Sequence, residues 1–229
     1  MNNSLTEFTV RRKQVFMNFP SSFPVVFVWF LIAIFIFRHH MRKDTKAQDD
    51  VSNAFWKKEE SSLIVRKKEL SPEDYLHPSL TEADLKDPAF YDQLGLQELY
   101  RQELYLKELL NTKMVNFQHV TNTDLRLMYG TAMIRVIEGY EENWNAYINT
   151  LYLMGKKLIE TDAHLYAAKL LEEGINIGSD NRPHFLLLAK YYKDQGNTLA
   201  LEALIDKAKD LESLTKDALL KELNALLED

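Results

Sequence analysis

Residues 148–177 read INTLYLMGKKLIETDAHLYAAKLLEEGINI, and residues 182–211 read RPHFLLLAKYYKDQGNTLALEALIDKAKDL. The two stretches begin 34 residues apart and carry one pattern. Leu151, Met154, Gly155 and Leu158 recur as Phe185, Leu188, Ala189 and Tyr192, and Ala167, Leu171 and Gly174 recur as Leu201, Ile205 and Ala208. Apolar residues three and four apart share one face of an α-helix, so each stretch predicts two helices joined by a polar turn. Working outward, helices are expected at 97–117, then from a cap at Asn122 or Thr123 through Ile137, and from about Glu141 to Glu160. Further helices are expected at 163–177, 182–195, 198–210 and 214–228. Gly178 and Gly196 stand just past predicted ends, where a capping residue of left-handed conformation is needed. No stretch alternates with period two for long enough to make a strand. The body is expected to be all-α.

The 34-residue period has a small residue at its eighth place and small or apolar residues at its twentieth, twenty-fourth and twenty-seventh places. It resembles the tetratricopeptide repeat over residues 148–215. Two departures are Ser179, where the unit often ends in proline, and Leu201, where a small residue is usual. An earlier hairpin at 97–138 matches only in its second helix, through Ala132, Val136 and Gly139. The resemblance implies a solenoid of helical hairpins needing a cap. Leu214, Ala218, Leu219, Leu223, Leu226 and Leu227 would give the last helix its apolar stripe. It also implies a concave groove lined by first-helix residues: Asn149, Tyr152, Lys156 and Ile159, then Pro183, Leu186, Lys190 and Lys193. Asn149, Tyr152, Lys156, Lys190 and Lys193 are the expected peptide-binding residues, suited to a ligand with an acidic group beside an apolar anchor.

At the other end, twenty-four residues between Lys13 and Arg38 carry no charge, and 23–37 (FPVVFVWFLIAIFIF) is apolar throughout. That run alone rises about 22 Å, short of the ~30 Å hydrocarbon core. Residues 17–22 close the gap, and Arg38 can snorkel to the headgroups. RHHMRK follows the run in place of a small-residue cleavage site, so a retained single-pass helix at 17–40 is expected. A tail at 1–16 precedes it. Arg38, Arg42, Lys43, Lys46, Lys57 and Lys58 outnumber Arg11, Arg12 and Lys13, which places the body in the cytoplasm. A juxtamembrane stalk and connector are expected at 41–87, helical to Ser71-Pro72, and a repeat domain at 88–229 opening on Asp87-Pro88. The stalk is read as solvated. In the alternative, Phe55 and Trp56 rest on the bilayer interface.

Residues 70–229 hold sixteen Lys and Arg against twenty-seven Asp and Glu, an acidic balance that argues against nucleic acid. Zero cysteines exclude disulfides, thiolate metal sites and a Cys nucleophile. His39, His40, His77, His119, His164 and His184 have no metal-binding spacing, and no phosphate loop or nucleophile elbow occurs. Glu141-Glu142 and Glu172-Glu173 are expected on solvated faces, and Trp144 and Tyr147 in the core. No catalytic residue, cofactor or metal is therefore expected. The expectation is a membrane-tethered scaffold that binds a protein or peptide. The alternatives are an outward-facing chaperone or secretion accessory and a regulatory subunit of a membrane enzyme.

Overall fold

The computed structural model of the chain describes residues 23–228, with side-chain surroundings for 26–39 and 48–228. Among these residues every regular element is helical. In order they are α1 Phe23–Leu63, α2 Pro88–Gln93, α3 Tyr100–Leu110, α4 Asn122–Tyr129, α5 Thr131–Leu158, α6 His164–Asn176, α7 Arg182–Asp194, α8 Thr198–Lys209 and α9 Lys216–Glu228, with short 3-10 turns at 72–74, 82–84 and 97–99. The chain divides into two units, Met1–Lys57 and Lys58–Asp229.

In the first unit, every side chain of 26–37 is exposed, Phe35 by 73%. Those residues rise about 18 Å. Among the described residues no helix is long and apolar enough to cross a membrane. Residues 17–22 of the expected anchor and the tail at 1–16 lie outside the described residues. The helix continues past Arg38 without a break and carries Phe55 and Trp56, whose rings meet edge to face at 5.4 Å.

The second unit opens on the last turn of α1. Ser62 is buried there, Glu59 accepts from Thr123 and Arg126 of α4, and Lys58 pairs with Asp124 at 2.6 Å. The helix expected to reach residue 70 ends instead at Leu63. Beyond it the chain is recruited by the α4–α5 junction: Lys68 N–H donates to the Tyr129 carbonyl at 2.9 Å, and Leu70 is buried. Gly130 makes this possible. Its φ is 79°, and a Cβ there would lie 2.7 Å from the Arg66 carbonyl oxygen.

Gly130 is also where the chain breaks between helices, which corrects the expected division of 122–160. α4 is capped by Thr121, whose side chain accepts from Asp124 N–H, and α5 then runs from Thr131 to Leu158. Ala132, Val136 and Gly139 therefore share one helix with Leu151 and Gly155, with no turn between them. Ala132 and Val136 are exposed, while Met133 and Ile137 are buried. α3 is likewise shorter than expected. It stops at Leu110, and Phe117 reaches the core from the following loop, packed on Tyr129.

From residue 164 onward the elements fall where the periodicity put them. α5 packs on α6, α6 on α7, α7 on α8, and α9 on both α7 and α8. The residues related by 34 positions are buried in both stretches except Tyr192, which is half-buried. On α9, Leu219 and Leu223 are buried and Leu226 is packed beside them, whereas Ala218 and Leu227 are exposed, as is Leu214, which precedes the helix.

The connector is fastened to the helices by two buried carboxyl groups. Glu103 accepts from Lys86 N–H, from Tyr91 Oη at 2.6 Å and from Tyr166 Oη at 2.7 Å. Glu173 accepts from the N–H and hydroxyl of Ser79 and from Tyr147 Oη at 3.1 Å. Burial and the neighbouring carboxyl push all three phenols well above their ordinary range. Glu173 thus lies in the core, not on the solvated face expected for Glu172-Glu173. Successive helical residues are about 100° apart, so one member of an adjacent pair can turn inward. Glu141 departs from expectation in the same way: it is half-buried and accepts from Phe117 N–H, and burial raises its pKa. Trp144 and Tyr147 are both core residues, with Trp144 Nε1 donating to the Ile177 carbonyl at 3.1 Å.

Candidate functional site

Pro183 in the first turn of α7 fixes the backbone where the helix begins. Counting on from it, Leu186, Leu187 and Lys190 return to the same side at helical spacing. Facing them is Tyr152 of α5, the residue that the 34-residue period pairs with Leu186. Tyr152, Arg182, Pro183, Leu186, Leu187 and Lys190 line one groove of about 430 Å³. Its walls are apolar and its charge is at the rim. Arg182 pairs with Glu222 of α9, which spends its charge internally. Lys190 and Lys156 are exposed, and among the described residues neither has a carboxylate partner.

The structure divides the five residues expected to bind peptide. Tyr152 and Lys190 line this groove together. Asn149 and Lys156 are exposed on α5 outside its lining. Lys193 lines a different cleft, with Gly196, Thr198, Leu201, Leu226 and Leu227, where α7, α8 and α9 meet. Three residues beyond Lys190 is about 60° around the helix, enough to carry Lys193 to the next surface. Arg182 and Leu187 complete the groove and were not singled out by the repeat positions. Their signal was the amphipathic spacing of α7 itself.

Beneath the groove lies His184, fully buried. Its ring meets the Tyr152 ring at 5.8 Å. Neither ring nitrogen has a hydrogen-bond partner. Burial pushes its pKa down to about 4, offset only in part by the Leu171 carbonyl nearby. The imidazole occupies the space left by Gly174 of α6, where a Cβ would clash with its Cε1. Gly155 provides the corresponding close approach within the first hairpin, since a Cβ there would sit 2.7 Å from Leu171 Cγ.

Between α6, α7 and α8 a cleft of about 260 Å³ holds Glu172, Asn176, Tyr192 and Lys207. Tyr192 Oη donates to Glu172 at 2.6 Å and Lys207 Nζ donates to Asn176, so these polar groups already serve one another. Among the described residues no cluster of His, Asp and Glu is arranged to hold a metal. Comparison with known protein families, curated proteins and solved structures finds no match to this chain.

Proposed function

We propose that this protein is a membrane-tethered scaffold whose α5–α8 hairpins form a tetratricopeptide-like module that captures a peptide segment of a partner protein. The observation carrying this reading is the groove: an apolar wall of Tyr152, Pro183, Leu186 and Leu187 with the unpaired Lys190 at its rim. A partner segment with an acidic residue beside an apolar one would satisfy both features. The body around the groove carries sixteen basic against twenty-seven acidic residues, so an unpaired lysine is conspicuous there. α9 closes the end of the hairpin stack, as a solenoid requires. The tether is the apolar run at 23–37 extended by 17–22, with the body in the cytoplasm. Because α1 is unbroken, Phe55 lies about 26 Å along it from Arg38, which favours a projecting stalk over an element resting on the bilayer.

The test is crosslinked capture from membranes with full-length wild type and a Lys156→Glu/Lys190→Glu double variant of unchanged helical content. Exposed lysine contacts contribute about 0.2–1 kcal/mol each, so binding should be micromolar and should weaken with salt. Identical partners with identical salt dependence would move the binding site elsewhere. Carbonate extraction that released the full chain would remove the tether.

A further inference from the structure

We propose that the contact between α6 and α7 is a proton-operated latch, closed by neutral His184 and loosened when that imidazole takes up a proton from solvent. The geometry has three parts. His184 is fully buried in the first turn of α7, and neither nitrogen has a partner. It fills the gap left by the missing side chain of Gly174, so ring and backbone approach with no room for a water or counter-ion between them. Its other neighbour, Tyr152, is a wall of the groove.

No carboxylate stands ready to stabilise the imidazolium. On α5 the facing titratable group is the Tyr152 phenol. On α6, Glu173 is engaged by Ser79 and Tyr147, and Glu172 by Tyr192. On α7 itself Arg182 is the nearest charge in sequence, and it is held by Glu222 of α9. An added proton therefore meets one backbone carbonyl, that of Leu171, and an apolar wall. A buried unpaired charge is expelled, and the way out for His184 is separation of α7 from Gly174.

The direction follows from linkage. The ring's pKa is about 4 in place and 6.5 when released, so the released state binds more protons between those values. At pH 5 the equilibrium for release rises about 20-fold relative to pH 7. The latch itself stands apart from the scaffold reading. Only its consequence, that acidification dismantles the peptide groove, rests on that reading.

Hydrogen exchange of the full-length chain, corrected for intrinsic rates, tests it at pH 7 and pH 5. Peptides covering 164–194 should lose protection about 10-fold or more in wild type at pH 5 and keep it in His184→Leu. An equal pH response in both proteins, or none in wild type, overturns the latch. Carbon-13 histidine spectra of wild type give a second reading that needs no variant beyond assignment. A His184 ring that titrates near 6.5 while the chain stays folded also overturns it. Partner capture at pH 7 plays no part in either measurement, so a failed latch and a failed groove are told apart.

Discussion

The connector side and the hairpin side of the body bury polar groups in opposite ways. Where residues 79–86 cross the helices, Glu103 and Glu173 are buried among donors that fill their acceptor sites, three to each carboxyl group. Between α6 and α7, His184 is buried with neither ring nitrogen hydrogen-bonded and only the Leu171 carbonyl nearby. A satisfied buried carboxyl ties distant segments into one arrangement, because any other arrangement orphans several groups at once. An unsatisfied imidazole packs as a flat apolar body while neutral, and its cost appears only on protonation. The first device confers uniqueness and the second confers a response.

Removing a carboxyl should break the comparison most severely. Glu103→Ala leaves two phenols and the Lys86 N–H without an acceptor, and about 3–5 kcal/mol of stability should be lost in urea unfolding. Glu103→Gln, which keeps one oxygen, should lose less. A cost below about 1 kcal/mol would mean that the connector is not fastened there.

The imidazole comes next. Well above pH 6.5 His184 is neutral in both folded and unfolded chains, and stability is full. As pH falls toward 4 the unfolded chain takes up the proton first, so wild type should lose about 3 kcal/mol more than His184→Leu across that window. Parallel pH profiles from urea midpoints would make the two kinds of burial equivalent.

Glycines sharpen the contrast at smaller scale. Gly155→Leu drives new atoms into Leu171 and should cost about 1–3 kcal/mol, as should Ala189→Leu at a fully buried position. Gly139 has open space around its Cβ position and lies inside α5, so Gly139→Ala should add about 0.5–1 kcal/mol. Thermal unfolding of the variants reads both signs. The smallest stability effect belongs to Lys190→Glu: within about 0.5 kcal/mol by urea unfolding, with partner capture reduced at low salt.

Much of α6 to α9 was legible because its information is local. Amphipathic spacing, Pro183 and the glycines at 178 and 196 mark those helices within a residue or two, and both glycines have positive φ. The groove was legible in part for the same reason. Tyr152 and Lys190 sit on strongly periodic helices, and the period of 34 placed them at matching turns. Lys193 escaped because the packing of α8 and α9 decides which side of α7 remains a groove. Helix content at 97–160 was legible too, but its breaks were not. Gly139 and Gly130 look alike in sequence, yet only Gly130 meets another backbone, that of Val65 and Arg66.

The sequence by itself determined an all-helical body, the 34-residue hairpin pattern, a charge-free N-terminal stretch and an acidic surface, since each is a property of neighbouring residues. Tertiary structure alone decided the fates of Glu103, Glu173 and His184. A glutamate on a helix has the same local signature whether it meets water or a tyrosine from sixty residues away, and Tyr166 lies 63 positions from Glu103. Whether a buried polar group is satisfied depends on what the rest of the chain brings to it, and that exists only once the helices have packed.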